Sequence, residues 1–146
     1  MEKKGIVITG TIGADTHVIG TRIVQHACNQ AGYEVVPLGA FVSQEEFVRA
    51  AVETNADAIM VSSIYGQAEL DCANFREKFL EVGLDNILLY LGGNICAEYQ
   101  EKEWPSTVDK FKAMGFNRVY PPGTSPSSAI KDLEEDLALR KGGNSE

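Results

Sequence analysis

The sequence predicts an α/β domain built on a five-stranded, all-parallel sheet. Five short runs rich in Val, Ile, Leu or Tyr recur at intervals of about 25–30 residues, and helical patterns separate them. Regular alternation of strands and helices favours a parallel sheet that helices cover on both faces. Among doubly wound orders we predict 2-1-3-4-5. The predicted strands span residues 5–9, 34–38, 57–62, 86–91 and 117–120.

Four of the predicted helices carry an apolar stripe at helical spacing, which marks the face that packs on the sheet. The stripes are Ile19, Ile23, Ala27 and Ala31; then Phe47, Val48, Ala51 and Val52; then Cys72, Phe75, Phe79 and Val82; and finally Ile130, Leu133 and Leu137.

The ends of these helices are also marked. Residues 43–46 form a capping box at the start of the second helix, and Ser125 before Pro126 begins the last one. Gly32, Gly83 and Gly115 each follow a helical pattern, where a left-handed terminator is favoured. The fold class we predict is therefore a single flavodoxin-like or Rossmann-like domain.

The length and composition fit one globular domain. The chain has 146 residues, 44% hydrophobic and 23% charged. We place the domain at residues 1–140 and expect residues 141–146, Lys-Gly-Gly-Asn-Ser-Glu, to form a flexible tail. The net charge of −8 argues against a nucleic-acid or anionic-membrane surface.

The sequence predicts a cytoplasmic location. No apolar run approaches the roughly 20 residues that span a bilayer, and residues 1–5 lack the apolar centre of a signal peptide. The three cysteines are widely spaced and form no Cys-x-x-Cys pair, so we interpret them as small buried hydrophobes.

Ligands of open α/β sheets collect at the carboxyl ends of the strands. The segments that follow the predicted strands are rich in small residues, which leave a slot rather than a filled surface. These segments are residues 10–17, 39–40, 62–66, 92–96 and 121–124.

His17 is the candidate metal ligand in the first of these segments. A metal-binding imidazole usually donates its second N–H to a carboxylate, and Asp15 stands two residues away. By itself this Asp-x-His pattern also fits a surface loop. His26 maps to the polar face of the first helix, and one available histidine cannot build a tetrahedral zinc site. A metal bound by His17 should therefore bring most of its own ligands.

Three motifs together resemble the cobalamin-binding domain family. Residues 15–20 match Asp-x-His-x-x-Gly, residues 62–64 match Ser-x-Leu with Ile64 in place of Leu, and residues 92–93 match Gly-Gly. The gaps between them, 41 and 27 residues, are also similar to those of the family. The exchange of Leu for Ile conserves volume.

Nearly the whole chain resembles the small subunits of glutamate mutases, also called methylaspartate mutases. The runs that carry the likeness are residues 61–67, 89–95 and 118–124. The resemblance implies an adenosylcobalamin-dependent interconversion of L-glutamate and (2S,3S)-3-methylaspartate. It also implies a larger barrel-shaped partner subunit that binds the substrate, in a heterotetramer of two small and two large subunits.

The resemblance assigns roles to individual residues but places no catalytic residue on this chain alone. It implies that His17 is the lower axial ligand of cobalt and that Asp15 orients it. The displaced dimethylbenzimidazole base would enter the small-residue slot beside Ser62, Gly92 and Gly93. The full implied cofactor site is Ala14, Asp15, Thr16, His17, Val18, Gly20, Ser62, Ser63, Ile64, Gly92, Gly93, Asn94, Ile95, Cys96, Ala97, Tyr120 and Thr124.

Other functions stay open at this point. The binding motifs equally suit a corrinoid carrier for a methyltransferase or a subunit of another cobalamin-dependent mutase. A flavodoxin-like FMN protein is a lesser alternative, since residues 9–16 resemble a phosphate-binding loop. A receiver domain is weaker still, because the first strand lacks the paired acidic residues at its end.

The two histidines give a direct test. His17→Ala should weaken capture of cobalamin by at least about tenfold, because the axial ligand is lost, whereas His26→Ala should not change it. Absorbance titration of cobalamin with each variant measures the affinity. Equal losses in both variants would contradict the assignment.

Overall fold

The computed structural model describes residues 4–12, 19–63, 68–92, 101–121 and 124–144. The strands are β1 (Ile6–Thr11), β2 (Glu34–Pro37), β3 (Ala58–Ser62), β4 (Leu88–Gly92) and β5 (Arg118–Val119). The helices are α1 (Ile19–Gln30), α2 (Gln44–Thr54), α3 (Ala68–Asp71), α4 (Phe75–Glu81), α5 (Trp104–Ala113) and α6 (Pro126–Asn144), with a 3₁₀ turn at Glu101–Glu103. Within these ranges no helix is long and apolar enough to cross a membrane.

The sheet confirms the predicted topology. All four strand pairs are parallel, and the order is β2-β1-β3-β4-β5. Thr11 of β1 pairs with Ser62 of β3, which in turn pairs with Gly92 of β4. The ends of the three central strands therefore lie side by side at one edge of the sheet.

Alternate residues of the strands build two separate cores. On one face, Ile8, Ile59 and Leu89 pack with the buried side chains of α2, α4 and α5. On the other face, Val7 and Ala58 and their neighbours pack against α1 and α6. Burial on both faces explains why the strands read as nearly continuous apolar runs.

The predicted helix ends are confirmed. The hydroxyl of Ser43 accepts a hydrogen bond from the Glu46 backbone N–H (3.1 Å), and the Glu46 carboxylate accepts one from the Ser43 backbone N–H (3.3 Å). Gly32, Gly83 and Gly115 have φ values of +101°, +82° and +108°. Each therefore ends its helix in the left-handed region.

Three of the predicted stripe positions are wrong: Ile23, Val52 and Val82 are about half exposed. Val82 lies beyond the end of α4, and Val52 falls at the margin of a stripe whose centre, Phe47 and Ala51, is fully buried. The predicted stripe that begins at Cys72 does not lie on one continuous helix, because the chain turns between α3 and α4.

The last helix is longer than the sequence predicted. It continues to Asn144, four residues into the segment 141–146 that we expected to form a tail. Gly142 and Gly143 lower helix propensity, but they do not forbid helical backbone once a long helix has formed. The flexibility of the tail stays a prediction.

Arg76 ties together the amino edge of the sheet. Its guanidinium donates to the carbonyl of Gly115 (3.0 and 2.8 Å) and to the carbonyl of Ile87 (2.8 Å). It also donates to the Asn117 side chain (2.8 Å), which accepts from the Leu89 backbone N–H (2.9 Å). Burial lowers the pKa of Arg76. These bonds fix the turns that precede β4 and β5.

Gly115→Ala should destabilise the fold much more than Gly83→Ala. A Cβ at Gly115 would lie 2.4 Å from the Arg76 Cβ, whereas a Cβ at Gly83 would meet nothing within 4 Å. Both changes incur a left-handed backbone cost of about 1–2 kcal/mol. Overlap with Arg76 should add about 1–3 kcal/mol at Gly115. Denaturant unfolding measures both losses, and equal losses would contradict the steric role of this contact.

Candidate functional site

A groove opens at the carboxyl ends of β3 and β4, on the face covered by α1 and α6. Its volume is about 270 Å³. It is lined by Ser62 and Gly92, which end β3 and β4, by the neighbouring rings of Tyr90 and Tyr120, which form one wall, and by Ile23 of α1. The half-exposure of Ile23 is thus explained, because its side chain borders an open groove rather than a filled core.

Small residues keep this groove open. A Cβ added at Gly92 would meet only the Tyr120 Cβ, at 3.8 Å, which is ordinary contact distance. At the end of β1 the situation differs, because a Cβ at Gly10 would lie 3.0 Å from the Phe47 ring and 3.2 Å from Val42. On the face of the sheet opposite the groove, residues of α2 and its preceding loop therefore fill the space beside Gly10.

Two tyrosines form the wall that faces α6. The rings of Tyr90 and Tyr120 meet edge to face with centroids 5.9 Å apart. The hydroxyl of Tyr90 donates to Asp136, and the hydroxyl of Tyr120 donates to Asp132 (2.8 Å). Both rings are thus held at the groove by hydrogen bonds to α6.

Arg118 of β5 joins the two aspartates. It donates through Nε (3.1 Å) and Nη2 (2.8 Å) to the two carboxylate oxygens of Asp136. Its Nη1 lies 3.3 Å from a carboxylate oxygen of Asp132. Such a forked pairing is among the stronger hydrogen-bonded arrangements in proteins.

The pKa shifts agree with this arrangement. Burial, together with the hydrogen bonds to the aspartates, raises the pKa of Tyr90 and of Tyr120. Burial acts to raise the pKa of Asp136, but the hydrogen bonds from Arg118 and Tyr90 outweigh it and the net pKa is lowered. The phenols therefore remain donors and the Asp136 carboxylate remains an acceptor across the neutral pH range.

The structure places six of the predicted site residues. Ser62, Gly92, Tyr120 and Thr124 line the groove. Ser63 is buried beside it, and its backbone N–H donates to the carbonyl of Gly92 (3.0 Å). Gly20 lies in the first turn of α1. Ala14, Asp15, Thr16, His17, Val18, Ile64, Gly93, Asn94, Ile95, Cys96 and Ala97 lie outside the described residues.

The predictions of an exposed His26 and of buried cysteines are confirmed for the residues that the structure describes. His26 is exposed on α1. Cys28 and Cys72 are buried free thiols, and burial raises their pKa values to about 11 and about 12. Thiols with such pKa values are inert at neutral pH.

Sequence reasoning missed Tyr90, Asp132 and Asp136. Tyr90 sits within an apolar strand run, which suggests only core packing. The spacing of Asp132 and Asp136, four residues apart on one helix face, is the signal that could have found the pair.

A doubly wound parallel sheet with an apolar groove at the carboxyl ends of its strands is the arrangement in which open α/β domains bind ligands. A family model described as the B12 binding domain matches residues 5–112. Glutamate mutase sigma subunits are similar over nearly their whole length. That of Carboxydothermus hydrogenoformans is 54% identical (91% of this chain, 96% of the relative), and that of Escherichia coli O157:H7 is 40% identical (94% and 91%).

Solved structures show the same fold. A cobalamin-binding protein from Desulfitobacterium hafniense superposes with a TM-score of 0.73 at 19% identity, over 92% of this chain and 60% of that one. The monomethylamine corrinoid protein of Methanosarcina barkeri gives 0.71 at 22% identity, over 90% and 57%. The chain belongs to the B12-binding domain family and, within it, to the glutamate mutase sigma subunits.

Tyr90→Phe should change how stability depends on alkaline pH. Tyr90 is 2% exposed and its pKa lies above the ordinary value of 10.0. Above pH 10 the unfolded phenol loses its proton while the folded one keeps it, so each such phenol lowers the free energy of unfolding by about 1.4 kcal/mol per pH unit. The variant lacks this group, and its stability should fall less steeply.

At neutral pH the same variant should be less stable by about 1.5–3 kcal/mol, because a hydrogen bond to a charged carboxylate is lost. The two curves of unfolding free energy against pH should therefore converge as the pH rises above 10. Denaturant unfolding at several pH values measures this. Parallel curves would show that Tyr90 is not linked to folding through its hydroxyl.

Proposed function

We propose that this chain is the adenosylcobalamin-binding subunit of glutamate mutase. It would support the interconversion of L-glutamate and (2S,3S)-3-methylaspartate together with a larger, barrel-shaped subunit. The observation that carries the proposal is the groove: Ser62 and Gly92, which belong to two of the three cobalamin motifs, lie side by side in its lining.

The groove suits the nucleotide tail of the cofactor. Pockets for drug-sized ligands usually occupy about 300–1,000 Å³, so a groove of about 270 Å³ accepts a bicyclic aromatic base but not a corrin ring. Tyr90 and Tyr120 offer apolar ring surface to such a base. Ser62 offers a hydroxyl that can donate to its free ring nitrogen.

The rest of the proposed site lies outside the described residues. His17 would hold the cobalt of the cofactor through one ring nitrogen, and Asp15 would accept the second ring N–H of His17. Gly93 would leave room for the ring of the tail, and residues 94–97 would line or close the groove. When bound, adenosylcobalamin supplies homolysis of its cobalt–carbon bond, which starts the radical rearrangement. This chain holds and orients the cofactor.

The arginines support assignment of the substrate to the larger subunit. Glutamate carries two carboxylates, which arginine recognises in a forked geometry. Arg76 and Arg118 are engaged within the fold, as described above, and Arg140 donates to Asp57 (2.6 Å) at the amino edge. Arg22 and Arg49 are exposed on α1 and α2. None of the five is among the residues that line the groove.

Reconstitution tests the proposal. The chain alone should not turn over glutamate, and activity should appear when the larger subunit and adenosylcobalamin are added. Gly92→Val should fold normally, since a Cβ fits there, but its added methyl groups would enter the groove. We expect it to raise the dissociation constant of adenosylcobalamin at least about tenfold.

Val52→Leu is the matched control, because it adds bulk at an exposed position of α2 on the opposite face of the sheet. It should leave both cofactor affinity and activity unchanged. Full affinity in Gly92→Val, or turnover by the chain alone, would contradict the proposal. Transfer of a methyl group from methylcobalamin to an acceptor would favour a corrinoid carrier instead.

A further inference from the structure

We propose that Asp132, Asp136 and Arg118 are positioning residues that hold the tyrosine wall of the groove in place for the nucleotide tail of cobalamin. This inference rests on the proposed function, because it concerns the same groove. It assigns the carboxylates of α6 a role in cofactor capture although they do not themselves line the groove.

The wall depends on α6 for its position. Tyr90 lies in β4 and Tyr120 directly follows β5, and the centroids of their rings are 5.9 Å apart. Each hydroxyl then bonds to a different aspartate, and those aspartates are four residues apart on one face of the helix. The two rings are thus fixed at both ends, by the sheet and by the helix.

Arg118 offsets the electrostatic repulsion between the two aspartates of α6. Two carboxylates on adjacent turns of a helix repel each other, and a shared guanidinium offsets this repulsion. Arg118 forms its forked bond with Asp136 and also approaches Asp132 at 3.3 Å. The side chains of Asp132 and Asp136 are only 23% and 14% exposed, so solvent screens this cluster less than it screens a surface pair.

A fixed wall bears on affinity because a groove that is already formed avoids the cost of ordering side chains on binding. If the Tyr120 hydroxyl lost its acceptor, the ring would sample other rotamers and the groove would be open for part of the time only. The apparent affinity would then fall in proportion to the open fraction.

Asp132→Ala tests the inference most directly. It removes the acceptor of Tyr120 while leaving Tyr90 bonded to Asp136. We expect the dissociation constants of adenosylcobalamin and of the free tail nucleoside, 5,6-dimethylbenzimidazole riboside, to rise together by about five- to tenfold. Asp132→Asn retains a carbonyl oxygen that can accept from Tyr120, so it should restore most of the affinity.

Arg140→Ala is the control for simple destabilisation of α6. Arg140 bonds the same helix to Asp57 at the opposite edge of the sheet, far along the helix from Asp132. This variant should lower the free energy of unfolding but leave both dissociation constants unchanged. Unfolding measurements on all three variants establish that binding is compared among folded proteins.

The outcomes separate the two proposals. If the wild-type chain does not bind cobalamin, the proposed function fails. If it binds, but Asp132→Ala binds equally well or Arg140→Ala weakens binding to the same extent, the positioning role is wrong and the proposed function stands. Where the nucleoside alone binds too weakly to measure, the cobalamin constants decide between these results.

Discussion

Burial of the central strands on both faces is the constraint on which the rest of the structure depends. Because β1, β3 and β4 present apolar side chains in both directions, helices must cover both sides of the sheet. The connections from β2 through β5 place α2, α4 and α5 on one face. On the other face, the part of the chain that the structure describes places α1 and α6, and it leaves a groove at the ends of β3 and β4. The groove is therefore a consequence of how the chain is wound.

Arginine–aspartate ion pairs hold α6 at both edges of the sheet, and they are less exposed than lysine–glutamate pairs on the surface. At the carboxyl edge Arg118 binds the aspartates of α6, and at the amino edge Arg140 binds Asp57. These side chains are mostly shielded from solvent, whereas in the pairs Lys110–Glu69 and Lys4–Glu134 about half or more of each side chain is exposed. Exposed pairs contribute little to stability, so the shielded ones dominate the docking of α6.

Much of the fold could be predicted from local sequence. The strand runs, the capping box at Ser43 and the glycines that end helices all act through their immediate neighbours, and each is confirmed.

The exposure of Ile23 could not be predicted, since it depends on a groove formed by β3, β4 and α6. The bonds from Arg118 to α6 join residues 14 and 18 positions apart, and their formation depends on how the helix returns over the sheet. The motifs around Ser62 and Gly92 located the groove, but not its tyrosine wall.

The two faces of the sheet differ in packing, and this difference separates stability from binding. Closely packed aromatic rings fill the face under α2 and α4. The ring of Phe75 meets the rings of Phe47 and Phe79 edge to face, with ring centroids 5.7 Å and 4.9 Å apart. On the other face the aromatic pair, Tyr90 and Tyr120, is extended by hydroxyls that bond to α6. Phenylalanine in their place could fill a core but could not fix a wall beside an open space. The polar ends of these two rings are thus what allows one face to remain both folded and open.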